Sequence, residues 1–190
     1  NIQSTHLENF INKKNIAIEK SAIFNPLFNP NIHSLTLFNN SKEENLLLSF
    51  ANKFKIKFIK TIGLEKNSNY FIEKISKKKN KYKIDLIINK EKYKFYNQTN
   101  ILHRIINIVF CFALFEFNKI DQKIILENID ELKPVDGRGL IYEKKINDVN
   151  IKFIDETYNA NPDTMIQSIK YFDLMQSKGF DKILILGNMN

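Results

Sequence analysis

The chain has 190 residues and a mass of 22.4 kDa, with 43% hydrophobic and 26% charged residues, a balance that closes a core and excludes disorder. A single cysteine, Cys111, excludes an internal disulfide framework and fits a reducing compartment. The formal charge of +8 and pI of about 9.4 invite a nucleic-acid reading, but composition supplies another cause. Isoleucine (30), lysine (27) and asparagine (26), all AT-rich in their codons, make up 83 of the 190 residues. Only Arg104 and Arg138 are arginines and only five residues are glycine, so those positions call for a reason. A basic nucleic-acid-binding module, supported by Lys53 to Phe58 and Lys77 to Lys83, is therefore a minor alternative: in the first of these the lysines alternate with apolar residues as strand faces do, and codon bias explains the number of lysines.

In chain order, Asn1 to Ser4 shows no basic segment leading into an apolar core, and no signal peptide is expected. Leu7 to Phe24 has near-helical apolar spacing, with Asn12 to Asn15 as a polar interruption. Asn25-Pro26 and Asn29-Pro30 end it. Ser34 to Phe38 reads as a strand. A helix follows to Phe54, capped by Ser41 with Glu44 completing a capping box, and then a strand over Ile56 to Ile62. This is a β-α-β rhythm. From Phe71 to Tyr96 the pattern alternates on either side of Glu91-Lys92, predicting an antiparallel hairpin turning there.

Leu102 to Phe117 is apolar nearly all round, predicting a buried helix too short to span a bilayer. Asp121 opens a helix to about Leu132, and Pro134 to Gly139 reads as a hinge. Strands are expected at Leu140 to Tyr142 and Val149 to Ile154, around Asn147-Asp148, then a helix over Asn161 to Met175. A continuous apolar strand, Lys182 to Leu186, closes the chain. The class is mixed α/β, and the last strand-helix-strand reads as half of a doubly wound unit that stops after one crossover.

The most distinctive stretch is Asp155-Glu156-Thr157-Tyr158-Asn159-Ala160-Asn161-Pro162-Asp163-Thr164-Met165. Part of it is helix-start chemistry: Asn161 as N-cap, Pro162 in the first turn, Asp163 at the positive end of the dipole. The acidic pair at a strand end can equally hold ribose hydroxyls, because ligands of open α/β sheets bind beyond the carboxyl ends of strands. Arg138 stands between two glycines, where it is either a hinge residue or a bidentate phosphate ligand. His103 and Asn107 are four residues apart, hence on one helix face. His6 precedes a helix, and Lys20 is one lysine among 27.

The stretch from Asp155 to Met165 resembles the signature of the Mur ligase family, in the form carried by its D-alanyl-D-alanine-adding branch. Other segments agree in order: Thr5 to Phe10 and Ile18 to Phe24 with the metal segment, His103 and Asn107 with two of three positions of a His-Asn-x-x-x-Asn helix, Asp136 to Gly139 with a Gly-Arg-Gly junction, and Leu186 to Met189 with a Leu-Gly-Asp-Met strand end. The sequence departs at Arg104, which replaces an asparagine, at Leu102 beside a lost glycine, at Asn39 to Lys42, and at Asn188 in place of aspartate.

The resemblance implies part of a Mur ligase central ATPase-type domain over 1–134, without its phosphate loop, and the start of a Rossmann-like C-terminal domain over 135–190. It implies an internal fragment, inactive alone, of a cytoplasmic, monomeric, ATP-dependent ligase of peptidoglycan synthesis. That enzyme joins D-Ala-D-Ala to UDP-MurNAc-tripeptide through an acyl phosphate. The implied roles are Mg²⁺ binding by His6 and a carbamylated Lys20, phosphate binding by Arg138, adenine contact by His103 and Asn107, and ribose contact by Asp155 and Glu156. Asn159 and Asn161 would shape the loop. A degenerate, non-catalytic relative is the alternative.

Overall fold

The structure, a computed structural model, describes residues 2, 10–24, 34–39, 42–79, 81–98, 101–129, 132, 134–158, 161–175, 179 and 181–188. The chain divides into two compact units, Asn1–Ile129 and Asp130–Asn190.

The first unit opens with α1 (Lys13–Ser21), followed by a 3-10 turn over Ala22–Phe24. Asn12 is not an interruption but the N-cap: its side chain accepts the Asn15 amide at 3.0 Å, which starts the helix later than apolar spacing alone predicts. Strand β1 (Ser34–Phe38), helix α2 (Lys42–Lys53) and strand β2 (Phe58–Gly63) follow, with β1 and β2 parallel. The β-α-β unit therefore forms as expected. Ser41 lies outside the described residues. Glu44 is buried, and its carboxylate accepts the amide of Ile2 at 3.3 Å.

Strands β3 (Tyr70–Lys78), β4 (Lys81–Ile88) and β5 (Glu91–Asn97) form an antiparallel meander, giving a sheet in the order β1-β2-β3-β4-β5. The β4–β5 turn is Asn89-Lys90, both in the left-handed region at φ 51 and 71°, not the predicted Glu91-Lys92, which belongs to β5. Two successive residues at positive φ give the turn whose twist matches a hairpin. Strands β2 and β3 are parallel but share only Ile62↔Tyr70 and Gly63↔Phe71. Because β3 starts where β2 stops, the short segment 64–69 replaces the long crossover that parallel neighbours ordinarily need. Gly63 has no room for a side chain there: a Cβ would lie 2.8 Å from the Asn39 carbonyl and 2.4 Å from Ser68 Oγ.

Successive strand residues face opposite sides of the sheet, and each side carries its own core. Leu37 packs with Ile16, Ala17, Leu47 and Ala51 from α1 and α2. Phe38, Ile62, Ile84, Leu86 and Phe95 pack against helices α3 (Leu102–Phe117) and α4 (Lys123–Asn128). Helix α3 has the predicted bounds, but only one face is buried. Ile105, Ile106, Val109, Phe112 and Ala113 are inside, while Leu114 and Phe117 are 58% and 48% exposed. The described helix α4 is shorter than the predicted one to Leu132.

Near the end of α3, Glu116 gathers the Tyr70 hydroxyl, Lys60 Nζ at 3.2 Å and Asn89 Nδ2 at 3.3 Å. Burial works against the Glu116 carboxylate, but these three donors outweigh it and hold its pKa below the ordinary value. Burial and the adjacent carboxylate push the Tyr70 hydroxyl far upward, so it remains a donor.

The second unit holds β6 (Leu140–Ile146) and β7 (Val149–Asp155), an antiparallel hairpin, then α5 (Pro162–Leu174). Its turn is Asn147-Asp148, at φ 46 and 63°, as the sequence predicts. The predicted last strand is a correction. Residues 181–188 join no ladder among the described residues, and Ile183 to Leu186 are 49–90% exposed. An apolar run provides side chains for a buried strand but not the hydrogen-bonding neighbour that makes one. The doubly wound half-unit thus stands as a hairpin followed by a helix.

Candidate functional site

The second unit brings together the two segments that stood out in the sequence. Leu140 at the start of β6 pairs with Asp155 at the end of β7, so residues 135–139 and 156–158 leave the hairpin at the same end. Asp155 fastens them. Its Oδ2 accepts the Gly137 amide at 3.1 Å, and its Oδ1 accepts the Thr157 amide at 3.1 Å and the Thr157 hydroxyl at 2.7 Å. The Gly139 amide donates to the Asp155 carbonyl, and the Tyr158 amide donates to the Gly137 carbonyl at 3.1 Å.

Three donors occupy most of the roughly four acceptor positions of the Asp155 carboxylate. Its first task is therefore to build the junction, leaving about one position for a ligand hydroxyl. The Thr157 hydroxyl, then the Thr157 and Gly137 amides, outweigh burial and hold the Asp155 carboxyl below the usual carboxylate range. A lowered folded-state pKa contributes stability that is complete above the unfolded value of about 3.9 and is lost as pH falls through the lowered folded value. In a carboxyl-carbon NMR titration, Thr157→Val is expected to move the Asp155 midpoint upward. An unmoved midpoint would show that the hydroxyl is not the controlling donor.

Glu156 Oε1 accepts the Ser168 hydroxyl at 3.2 Å, linking the acidic pair to α5. Asn161 caps α5: its side chain accepts the Thr164 amide at 3.0 Å, and Thr164 Oγ1 accepts the Asn161 amide at 3.1 Å, closing a capping box. Arg138 is exposed, and its guanidinium carbon lies 4.4 Å from the centroid of the Tyr158 ring. Tyr158 was not among the predicted site residues. The signal available in the sequence was an aromatic side chain three positions beyond Asp155.

Other predicted residues belong to the first unit. His103 and Asn107 share a face of α3; Asn107 is exposed and His103 is partly buried. Burial, and then the charge of Arg104, depress the His103 pKa, so its imidazole is neutral at neutral pH. Lys20 is exposed in the last turn of α1, where a cation complements the helix dipole. His6 and Asn159 lie outside the described residues. Among the described residues, no three His, Cys, Asp or Glu side chains group into a metal site. No helix among them is long and apolar enough to cross a membrane.

No protein-family model matches the chain, and no curated protein does. Solved structures do. The fold is that of the Mur ligases. The similar structures include MurF from Acinetobacter baumannii, with a TM-score of 0.74 and 17% identity over 93% of this chain and 36% of that one. They also include MurF from Thermotoga maritima in complex with ADP, with a TM-score of 0.69 and 17% identity over 93% of this chain and 38% of that one. UDP-N-acetylmuramate-alanine ligase MurC from Thermotoga maritima matches with a TM-score of 0.58 and 20% identity, over 89% and 36% of the two chains. The chain thus spans little more than a third of these structures.

Proposed function

We propose that the chain is part of an ATP-dependent amide ligase that joins D-Ala-D-Ala to UDP-MurNAc-tripeptide in the cytoplasm. The observation that carries this reading is the junction in the second unit. A Gly-Arg-Gly turn is tied through Asp155 to the loop that leads into a capped helix, within a fold shared with MurF, one solved example of which holds ADP.

In this reading ATP phosphorylates the terminal carboxylate of the tripeptide. The dipeptide amine then attacks the acyl phosphate and expels phosphate. Arg138 presents a guanidinium whose planar donors match two phosphate oxygens. Charge placed in advance where phosphate charge develops lowers the barrier without reorganisation. Asp155 and Glu156 face the ribose, with Asp155 limited to the acceptor position that its loop contacts leave open. Neutral His103, with Asn107, borders the adenine and can donate or accept a hydrogen bond. Asn161 and Asn159 shape the loop ahead of α5. A Mg²⁺ role for His6 and a carbamylated Lys20 rests on the resemblance alone.

The test uses the full-length ligase containing this chain, with phosphate release measured on tripeptide and dipeptide substrates. Arg138→Ala is expected to lower turnover at least tenfold, in keeping with the loss of about 1.4 kcal/mol or more from a charge-assisted contact. Turnover at the wild-type level would overturn the assignment. Absence of phosphate release in the wild-type enzyme, with ATP and both substrates present, would favour a non-catalytic relative.

A further inference from the structure

We propose that Tyr158 is a positioning residue for Arg138, a platform that holds the guanidinium ready for the phosphate chain of a nucleotide. This rests on the assignment of Arg138 to phosphate made above. An exposed arginine has many rotamers, and ordering them on binding costs affinity. A ring 4.4 Å from the guanidinium carbon is within cation–π range and removes part of that freedom beforehand.

The chemistry of the contact matters. The five N–H donors of a guanidinium lie in its plane, whereas an aromatic ring engages its face. A tyrosine therefore restrains Arg138 without occupying the donors that a phosphate needs and without neutralising its charge. A carboxylate partner would do both.

Ring and cation are also fixed by their backbones. The Tyr158 amide donates to Gly137 O at 3.1 Å, the Gly137 amide to Asp155 Oδ2 at 3.1 Å, and the Arg138 amide to Val135 O at 3.0 Å. A Cβ on Gly137 would lie 2.7 Å from the Tyr158 Cβ, so the close approach of the two segments requires glycine. Tyr158 itself is 67% exposed, which leaves the pair open to a ligand.

The experiment compares Tyr158→Leu, Tyr158→Phe, Arg138→Ala and the Tyr158→Leu/Arg138→Ala double variant of the full-length ligase. Phosphate-release kinetics are measured together with the proton chemical shift of Arg138 Nε–H. Tyr158→Leu is expected to raise KM for ATP about two- to fivefold, the worth of an exposed cation–π contact. It should also abolish the upfield ring-current displacement of the Nε–H signal. Tyr158→Phe keeps the ring and is expected to keep both. In the Arg138→Ala background, Tyr158→Leu should add nothing.

Four results would overturn the platform. In the first, Tyr158→Phe is as impaired as Tyr158→Leu, which points to the hydroxyl. In the second, Tyr158→Leu retains wild-type kinetics while Arg138→Ala is impaired, which leaves the phosphate assignment standing. In the third, Tyr158→Leu is fully additive with Arg138→Ala. In the fourth, Arg138→Ala turns over normally, and the phosphate assignment falls as well.

Discussion

Phe112→Ala is expected to destabilise the first unit by about 3–5 kcal/mol, the usual cost of truncating a fully buried phenylalanine. Phe112 is 0% exposed on the inward face of α3, with Phe95 at 5.9 Å between ring centroids and Tyr93 edge-on at 6.1 Å. Removing the ring forfeits both aromatic contacts and leaves a cavity between helix and sheet, which rigid strands do not collapse to fill. Leu114→Ala is the control on the same helix. Leu114 is 58% exposed, and its loss should stay within about 0.5 kcal/mol. Urea unfolding followed by far-UV circular dichroism measures both. A cost below 1 kcal/mol for Phe112→Ala would mean that α3 does not pack on the sheet through this face.

Gly137→Ala should be the most damaging small substitution in the second unit. Gly137 has φ +72°, which costs a residue with a Cβ roughly 1–2 kcal/mol. The new Cβ would also lie 2.8 Å from the Tyr158 backbone nitrogen, and such overpacking adds roughly 1–3 kcal/mol. Gly179 separates the two contributions. It has φ +79°, and among the described residues nothing lies within 4 Å of where a Cβ would sit, so Gly179→Ala bears mainly the conformational cost. Amide hydrogen exchange at Thr157 and Tyr158, with thermal unfolding, is expected to show a loss of about 3 kcal/mol at Gly137 and clearly less at Gly179. Equal effects would indicate that the 155–158 loop gives way to the new methyl group. The same variant should weaken the Arg138–Tyr158 pair although it substitutes neither residue.

The sequence was most readable where local chemistry and tertiary structure agree. Helix α3 has the predicted bounds because a largely apolar run of 16 residues is too long for one ordinary strand, yet the run does not reveal which side is left bare. Asn147-Asp148 announced its turn because asparagine and aspartate tolerate the left-handed region. Asn89-Lys90 did not, since in a chain so rich in lysine a lysine at positive φ carries no visible mark. The offset pairing of β2 with β3 was hidden for a different reason. Periodicity reports which residues face a core, not where one strand begins beside another.

The candidate site was legible in the same uneven way. Scarcity of arginine and glycine singled out Arg138, and the acidic pair singled out Asp155. What joins them is the β6–β7 register, a non-local fact that carries residue 137 to residue 155. Tyr158 carries no mark in the sequence because its significance depends on that register. The sequence suggests a ligand contact for Asp155, whereas most of its hydrogen-bonding capacity goes into the protein itself.

The strand order of the first unit has a kinetic consequence. Every hydrogen-bonded neighbour in the five-stranded sheet is also the next strand along the chain, and only the β1–β2 connection contains a helix. Such local wiring keeps the chain entropy lost in closing each connection small and favours rapid folding. Hairpins close in roughly microseconds, so the β3-β4-β5 meander offers the earliest surface on which α3 can condense. The sheet can then grow from that seed toward β2 and β1, one neighbouring strand at a time.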